Sequence, residues 1–364
     1  MGDGGFDVVV VGGGSAGCAL AGELAQDPAL RVALVESGEP AEANPEVLRS
    51  DGYKDAFRND RVFWERYTAR QAQAGKRAMF AGTGTGMGGS GGINGMVYTR
   101  GCREDFEAWP EGWRWDDVVP WFERLEAELR PNQRAPTGWT EAMLEAAEGA
   151  GFRRSEDLND GDLSGVMGYE WMNFEGEDRR NSYVAFIKER PGRDNLTVLT
   201  GHRARRVVFE GKRAVGVEVE HGGERRILTA SREVVLTGGA LESPKLLLLS
   251  GVGPGAHLRE HGIEVVHDLP GVGEGLHDHP NLQVFHWGSR RVDCLYPAVY
   301  GFHRANPALP YPEGQADTCY VAWPAVGAMK EAMERMLPAL VLPVSMRKQG
   351  MGKELVRGSV RAGF

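Results

Sequence analysis

From Val8 to Val11, four β-branched apolar residues follow one another with no polar residue between them. A strand that is apolar on both faces must be covered on both, as in the middle of a parallel sheet. The pattern then turns to small residues and leucines at helical spacing, and GGGSAGCALAGELAQ predicts a helix over about 16–27. RVALVE follows as a second apolar strand ending at Glu36. Much further on, NLTVLTGHRARRVVFEGKRAVGVEVEHGGERRILTASREVVLTGGA reads as strand, strand, turn, strand, strand, with alternation in AVGVEVE and RRILTA. Its last part, EVVLTGGA, is expected to return to the main sheet.

Three helical patterns lie outside these strands. SPKLLLLSGVGP predicts a helix capped by Ser243, with Pro244 at its first position and a stop at Gly251 and Pro254. DFEAWPEGWRWDDVVPWFERLEAELR predicts an amphipathic helix with Val118, Trp121, Phe122 and Leu125 on one face. The tryptophans around Trp113 read as core packing rather than as a carbohydrate platform. Met329, Met333 and Met336 form a stripe beside a basic stretch, and residues 330–364 hold seven Lys/Arg and three Asp/Glu. Such a stripe is expected to pack on the protein rather than on a membrane. Met336–Val344 is too short to span a bilayer, which needs about 20 residues.

The first strand–helix–strand pattern carries chemistry. Gly12, Gly14 and Gly17 stand in the spacing G-x-G-x-x-G between strand and helix, beside Ser15 and Ala16, and Glu36 closes the second strand 19 residues after Gly17. Gly12 permits a tight turn, Gly14 lets the backbone approach a pyrophosphate, and Gly17 lets helix and strand pack closely. The free N–H groups at the helix start favour the negative phosphates. An acid at Glu36 suits a ribose diol and repels a 2′-phosphate, which argues against NADP. The motif alone leaves FAD and NAD both open.

Composition bounds the rest. A chain of 364 residues, 41% hydrophobic and 26% charged, is ample for a large core and suggests two domains. A net charge of −9 with no basic block argues against nucleic acid as a partner. The four cysteines, Cys18, Cys102, Cys294 and Cys319, form no CxxC pair and suit reduced thiols. The opening MGDGGFDVVVV lacks the basic region and cleavage signature of a signal peptide, so a cytoplasmic location without membrane attachment is expected. His277, Asp278 and His279 are adjacent, with no third ligand cluster in view, and no metal is expected.

Glycine is the unusual residue, at 51 of 364. Eight of the 17 residues in GTGTGMGGSGGINGMVY, Gly82 to Tyr98, are glycine. Each costs about 0.5–1 kcal/mol against alanine in an element interior. The apolar flank INGMVYTRG excludes a solvated linker, so this backbone comes very close to something.

Together with this stretch, GGALESPKLLLLSGVG (239–253 with its flanking Gly238), LPGVGEGLHDHP (269–280) and Trp64 in VFWERYT resemble, in order, the signatures of the glucose–methanol–choline (GMC) flavin oxidoreductases. The resemblance runs from Phe6 to about Pro280. It implies FAD as cofactor, with Gly88, Gly89 and Ser90 near the pyrophosphate or ribityl chain. It places Asn94, Gly95, Met96 and Val97 near the isoalloxazine, and Trp64 and Ser37 also among the cofactor's neighbours. It sets the backbone of Ala204 against the adenine, with Thr237 and Gly238 over the adenosine half. Asp278 and His279 are implied to be structural. Gly91 stands where the family has a second Ser/Thr, which removes one hydroxyl. No histidine stands in this loop, so the FAD is expected to be non-covalent.

The fold implied is α/β: an FAD-binding Rossmann-like domain with a parallel sheet plus a smaller antiparallel-sheet substrate domain, C-terminally incomplete. The expected division is 1–135 and 191–280 for FAD binding, and 136–190 and 281–364 for substrate. Tyr169, Trp171, Asn173, Phe174, Tyr320 and Trp323 are candidates to face a substrate pocket. The activity implied is hydride transfer from the CH–OH group of a small-molecule alcohol to flavin, reoxidised by oxygen or another acceptor. The family's catalytic histidine, with its second histidine or asparagine, comes late in the chain, and none of the nine histidines here stands in a matching context. The catalytic residues are therefore unassigned. The chain is expected to be a fragment, to pair with a second polypeptide that carries the closing segment, or to be an FAD-binding subunit without turnover of its own.

Overall fold

A computed structural model describes residues 5–282, 284 and 292–324. These residues form two compact units, 5–94 with 181–282, and 95–180 with 284 and 292–324. The boundaries therefore fall after Asn94 and Arg180, whereas the sequence reading placed them after 135 and 190. The Met329, Met333 and Met336 stripe and the 330–364 segment lie outside the described residues.

The first unit is built on β1 (Phe6–Val11), α1 (Ser15–Leu24) and β2 (Val32–Val35). A short ribbon pairs β3 (Phe63–Trp64) with β4 (Thr83–Gly84). Then come β5 (Leu196–Leu199), β6 (Arg203–Glu210), β7 (Arg213–His221), β8 (Glu224–Leu236) and α2 (Gly239–Leu249). Six strands form one sheet in the order β5-β2-β1-β8-β7-β6. β1 runs parallel to both β2 and β8, and β5 parallel to β2, while β7 is antiparallel to β6 and β8.

This placement explains the unbroken valine run. Val8 and Val10 pack on one face with Cys18 and Ala21 of α1 and with Val32 and Leu34. Val9 and Val11 pack on the other with Ala33, Val35, Val217 and Leu246. Val9 and Val10 are fully buried, each worth roughly 2 kcal/mol against exposure. The alternation expected over 213–230 belongs to a hairpin that extends the same sheet. β8 is shared: its first half pairs antiparallel with β7, and its second half, from Ala230 to Leu236, pairs parallel with β1.

Two helix expectations are corrected. α2 starts at Gly239, not at Ser243, and Pro244 lies inside it. The positive φ of Gly239 (+81°) turns the chain directly from β8 into the helix, and the helix tolerates the one N–H that Pro244 lacks. In the second unit the helix Trp115–Leu129 forms as expected, but Trp121 points outward at 65% exposure. Val118, Phe122, Leu125 and Leu129 face inward at i, i+4, i+7 and i+11, and position 121 falls off that stripe. Only Trp115 of the tryptophans around Trp113 is core; Trp109 and Trp113 are more than half in solvent or nearly so.

The second unit has a four-stranded sheet in the order Thr318–Ala322, Val299–His303, Val166–Tyr169, Arg153–Ser155. Its outer pair Arg153–Ser155 and Val166–Tyr169 is parallel, so the sheet is mixed rather than purely antiparallel. Buried polar groups are tied into this unit. The Arg180 guanidinium donates to the carbonyls of Glu128 and Leu129, satisfying the last turn of the helix Trp115–Leu129. Glu170 is fully buried and accepts from Thr99 Oγ1 at 2.9 Å and the Trp171 N–H at 3.0 Å. Burial pushes its carboxyl up to about 7, against those two hydrogen bonds.

Candidate functional site

The end of β1 and the start of α1 are shaped by glycines with different constraints. Gly12 has φ +113°, and a Cβ there would lie 2.6 Å from the Thr237 carbonyl oxygen. A Cβ on Gly17 would overlap the Gly12 carbonyl oxygen. Gly14 differs: its φ is −79°, and the nearest atom to an added Cβ is Gly89 Cα at 3.9 Å. Neither backbone conformation nor a protein neighbour requires glycine at 14. Thr237 Oγ1 shares its proton between the carbonyls of Val11 (3.0 Å) and Gly12 (2.9 Å), while Ser15 and Ala16 at the start of α1 are exposed.

Glu36, at the end of β2, is buried and surrounded by donors. Its Oε2 accepts from the Gly13 N–H at 2.8 Å. Its Oε1 accepts from the N–H groups of Gly38 (2.8 Å) and Gly86 (3.0 Å) and from Ser37 Oγ (3.2 Å). The acid thus pins the first glycine turn to the second glycine-rich stretch. The Gly88 N–H donates to the Gly13 carbonyl at 2.8 Å, and a Cβ on Gly89 would stand 2.8 Å from Gly14 Cα. A Cβ on Gly84 would overlap the Gly89 carbonyl oxygen, and Ser90 Oγ accepts from the Gly84 N–H at 3.0 Å. What this backbone approaches so closely is, first of all, another backbone.

Across the ends of these strands lies a cavity of about 850 Å³. Of the first motif, Gly12, Gly14, Ser15 and Ala16 line it, with Glu36 and Ser37. Trp64, Gly89 and Ser90 line it, and so do Ala204, Thr237 and Gly238. Gly17 and Gly88 are not among the lining residues. Neither are Asn94, Gly95, Met96 and Val97; the last three belong to the second unit, where Met96 is buried with Met172 and Phe174. The Asn94 N–H donates to the Ser90 carbonyl.

None of the aromatic candidates lines this cavity. The Tyr169 hydroxyl bonds to Thr140 Oγ1 and Glu141 Oε1, and Trp171 Nε1 donates to Asp157. Phe174 is buried under the Arg134 guanidinium, the Asn173 N–H donates to the Met96 carbonyl, and Tyr320 and Trp323 are exposed. His277, Asp278 and His279 are exposed.

Six charged or titratable side chains on the cavity wall escaped the sequence reading: Arg66, His202, Arg203, Arg205, Glu242 and Lys245. Arg66 stacks over Trp64 at 4.6 Å and donates to Glu242 Oε1 at 2.7 Å and Thr83 Oγ1 at 3.0 Å. His202 stacks face to face on His221, centroids 4.2 Å apart, and its backbone N–H donates to the Glu36 carbonyl. Burial holds the His202 imidazole below its ordinary pKa. Burial pushes the thiol of Cys18, on the buried face of α1, up to about 12. Arg66 follows Trp64 by two residues, which was the one local signal; no spacing rule joins it to Glu242.

A parallel β-α-β start, an acid at the end of its second strand and a cavity over the strand ends define a dinucleotide-binding fold. Residues 6–281 match the GMC oxidoreductases, and the chain belongs to that family. It is 37% identical over 313 residues to the oxygen-dependent choline dehydrogenase of Brucella anthropi, covering 80% of this chain and 55% of that protein. The corresponding protein of Rhizobium etli is 37% identical over 295 residues, 75% of this chain and 52% of that one. Among solved structures, pyridoxine 4-oxidase from Mesorbium loti matches with a TM-score of 0.68 at 33% identity, over 73% of this chain and 55% of its own. A formate oxidase from Aspergillus oryzae matches at 0.66 and 26% identity, over 74% and 51%. The chain spans about half the length of the curated relatives it matches. GMC oxidoreductases are FAD-binding flavoproteins.

Proposed function

We propose that this chain binds FAD non-covalently in the cavity of its first unit and forms the flavin-holding part of an oxidoreductase acting on the CH–OH group of a small alcohol. One observation carries the reading. Gly14 is glycine at a place where the protein itself leaves room for a side chain, at the mouth of α1, on the cavity wall. That suits a ligand backbone of phosphates drawn up against the helix start.

In this reading the N–H groups of α1's first turn take the diphosphate, and the Glu36 region takes the ribose. Ala204, Thr237 and Gly238 border the adenosine half. The buried, donor-bound position of Glu36 holds both glycine turns in register around the ligand. Asn94, Gly95, Met96 and Val97 are assigned to the isoalloxazine side by family resemblance. When bound, FAD accepts a hydride from the alcohol carbon and later yields electrons to oxygen or another acceptor. The residues named here bind and orient; a base for the hydroxyl proton is not among them.

A second reading, an FAD-holding part whose turnover requires residues from a further segment or a second polypeptide, is favoured by a specific feature. Among the described residues, the cavity wall holds a single histidine, His202, with Nδ1 at the Thr200 carbonyl and Nε2 facing Arg226. It sits beside Glu36, the ribose end. Among the described residues no helix is long and apolar enough to cross a membrane. A cytoplasmic setting goes with this reading, since the four cysteines are unpaired and three are buried.

The test is reconstitution of the purified chain with FAD, followed by release on denaturation and anaerobic mixing with choline, pyridoxine and aromatic alcohols. Uptake of FAD in preference to FMN or NAD is expected, with slow bleaching by alcohols. Release of NAD would overturn the cofactor assignment, and fast bleaching would overturn the second reading.

A further inference from the structure

The dinucleotide motif supplies dipoles and backbone donors to the cavity but no cation. Arg66 is the cation whose position is most fully determined. Its guanidinium carbon lies 4.6 Å from the centroid of the Trp64 ring, a cation–π contact. One arm donates to Thr83 Oγ1 at 3.0 Å and another to Glu242 Oε1 at 2.7 Å. These three partners come from β3, β4 and the first turn of α2, and Trp64, Thr83, Glu242 and Arg66 all line the same cavity. Arg66 and Glu242 side chains are 26% and 24% exposed, so the pair is held at the cavity wall and not in open solvent. The two hydrogen bonds use two of the five guanidinium N–H donors.

The place of this cluster relative to α1 follows from contacts. Thr83 neighbours Gly84, whose Cβ position overlaps the Gly89 carbonyl; Gly89 abuts Gly14, the residue before α1. Arg66 is therefore linked to the helix start by its side-chain hydrogen bond to Thr83 and the backbone contacts of Gly84 with Gly89 and of Gly89 with Gly14. The other cavity cations are arranged differently. Arg205 is held in a two-armed pair with Glu220, Lys245 follows Glu242 on the same helix at 3.4 Å, and Arg203 stands at the first position of β6 rather than beside Trp64 and Thr83. A carboxylate at Glu242 beside an anion site needs a counter-charge, and Arg66 supplies one while presenting a planar, preorganised fork.

We propose that Arg66 is the side-chain ligand for the diphosphate of the bound dinucleotide, with Trp64, Thr83 and Glu242 as the residues that position it. This rests on the FAD reading above. A diphosphate at the start of α1 then meets backbone N–H groups on one side and the Arg66 fork on the other.

The test measures affinity of the full chain for FAD, ADP and riboflavin, the last lacking a diphosphate, with thermal melting of each variant to confirm folding. Arg66→Ala is expected to weaken FAD and ADP by about tenfold or more and to leave riboflavin unchanged. The slope of log affinity against log salt should fall for FAD and ADP. Arg66→Lys keeps the charge and loses the fork, and should recover only part of the loss. Should Arg66→Ala prove too unstable to assay, Arg66→Lys and the salt slope decide alone. Wild-type binding of FAD and ADP with no change in either Arg66 variant would overturn the proposal and leave the FAD reading standing. A similar loss for riboflavin and FAD would also overturn it, since that marks a general loss of structure. Failure of the wild-type chain to bind FAD or ADP would overturn the FAD reading itself.

Discussion

The two glycine-rich stretches of the first unit look alike as letters but serve different needs. In the turn after β1, Gly12 and Gly17 are required by the protein's own backbone, and Gly14 is not. In the stretch that follows Gly82, Gly84 and Gly89 are required because two backbones lie on each other, Gly89 against Gly14. The longer stretch is mostly a packing device that brings a second strip of chain up to the first. A ligand-facing glycine is recognised by the space around it, not by the density of glycines near it.

Substitutions separate these roles. The largest effect is expected for Gly17→Ala, whose methyl overlaps the Gly12 carbonyl oxygen. Overpacking against backbone should cost about 3 kcal/mol or more, read as a drop in unfolding midpoint with or without FAD. Gly14→Val should leave the unfolding midpoint of the FAD-free chain nearly unchanged and lower FAD affinity by more than about a hundredfold, since a branched side chain would fill the phosphate's place. Equal effects of the two on stability would erase the distinction between the glycines.

Two buried acids extend the comparison to the second unit. Glu36 has four donors, and Glu170 has two. The Glu170 carboxyl is raised from 4.5 to about 7 in the folded chain. Between those values the folded state holds more protons than the unfolded one, so stability should fall as pH rises from 4.5 to 7 and level off above. The full span is roughly 3 kcal/mol. Glu170→Gln should abolish that slope and raise stability at pH 8. Glu36→Gln should act in the opposite direction. An amide offers one acceptor oxygen and sets its NH2 against an N–H, costing about 2 kcal/mol of stability and weakening FAD by a similar amount. Denaturant midpoints at pH 5 and pH 8 check both variants. The same sign for both would show that the donor count is not what distinguishes the two sites.

The strand–turn–helix–strand start was legible because its signals are local: a valine run, three spaced glycines, a closing acid. Ala204 and Thr237 were legible only through family resemblance, and they line the same cavity. Arg66, Glu242 and Lys245 were not, because the fold brings together positions 176 residues apart. The start of α2 was misjudged where two local rules compete, a serine–proline cap against a glycine pair that can turn the chain earlier. Trp121 was misplaced by one step of helical register. The unit boundary after Asn94 has no break in composition to mark it, since it cuts through the motif that continues into Gly95, Met96 and Val97. Tyr169, Trp171 and Phe174 show the limit of aromatic clusters as pocket signals; hydrogen bonds to Glu141 and Asp157 and a cover by Arg134 account for their positions.

The pairing of β1 has a consequence for how the molecule is made. Val8 lies beside Val32 on one side and Glu233 on the other. A growing polypeptide therefore holds its valine strand with one edge open until β8, which begins only at Glu224, leaves the ribosome. An open valine edge is a template for wrong partners, and closure over such a sequence separation is slow. Chaperone supply and translation speed, more than the strength of any contact in the finished sheet, should govern how much soluble product a cell obtains.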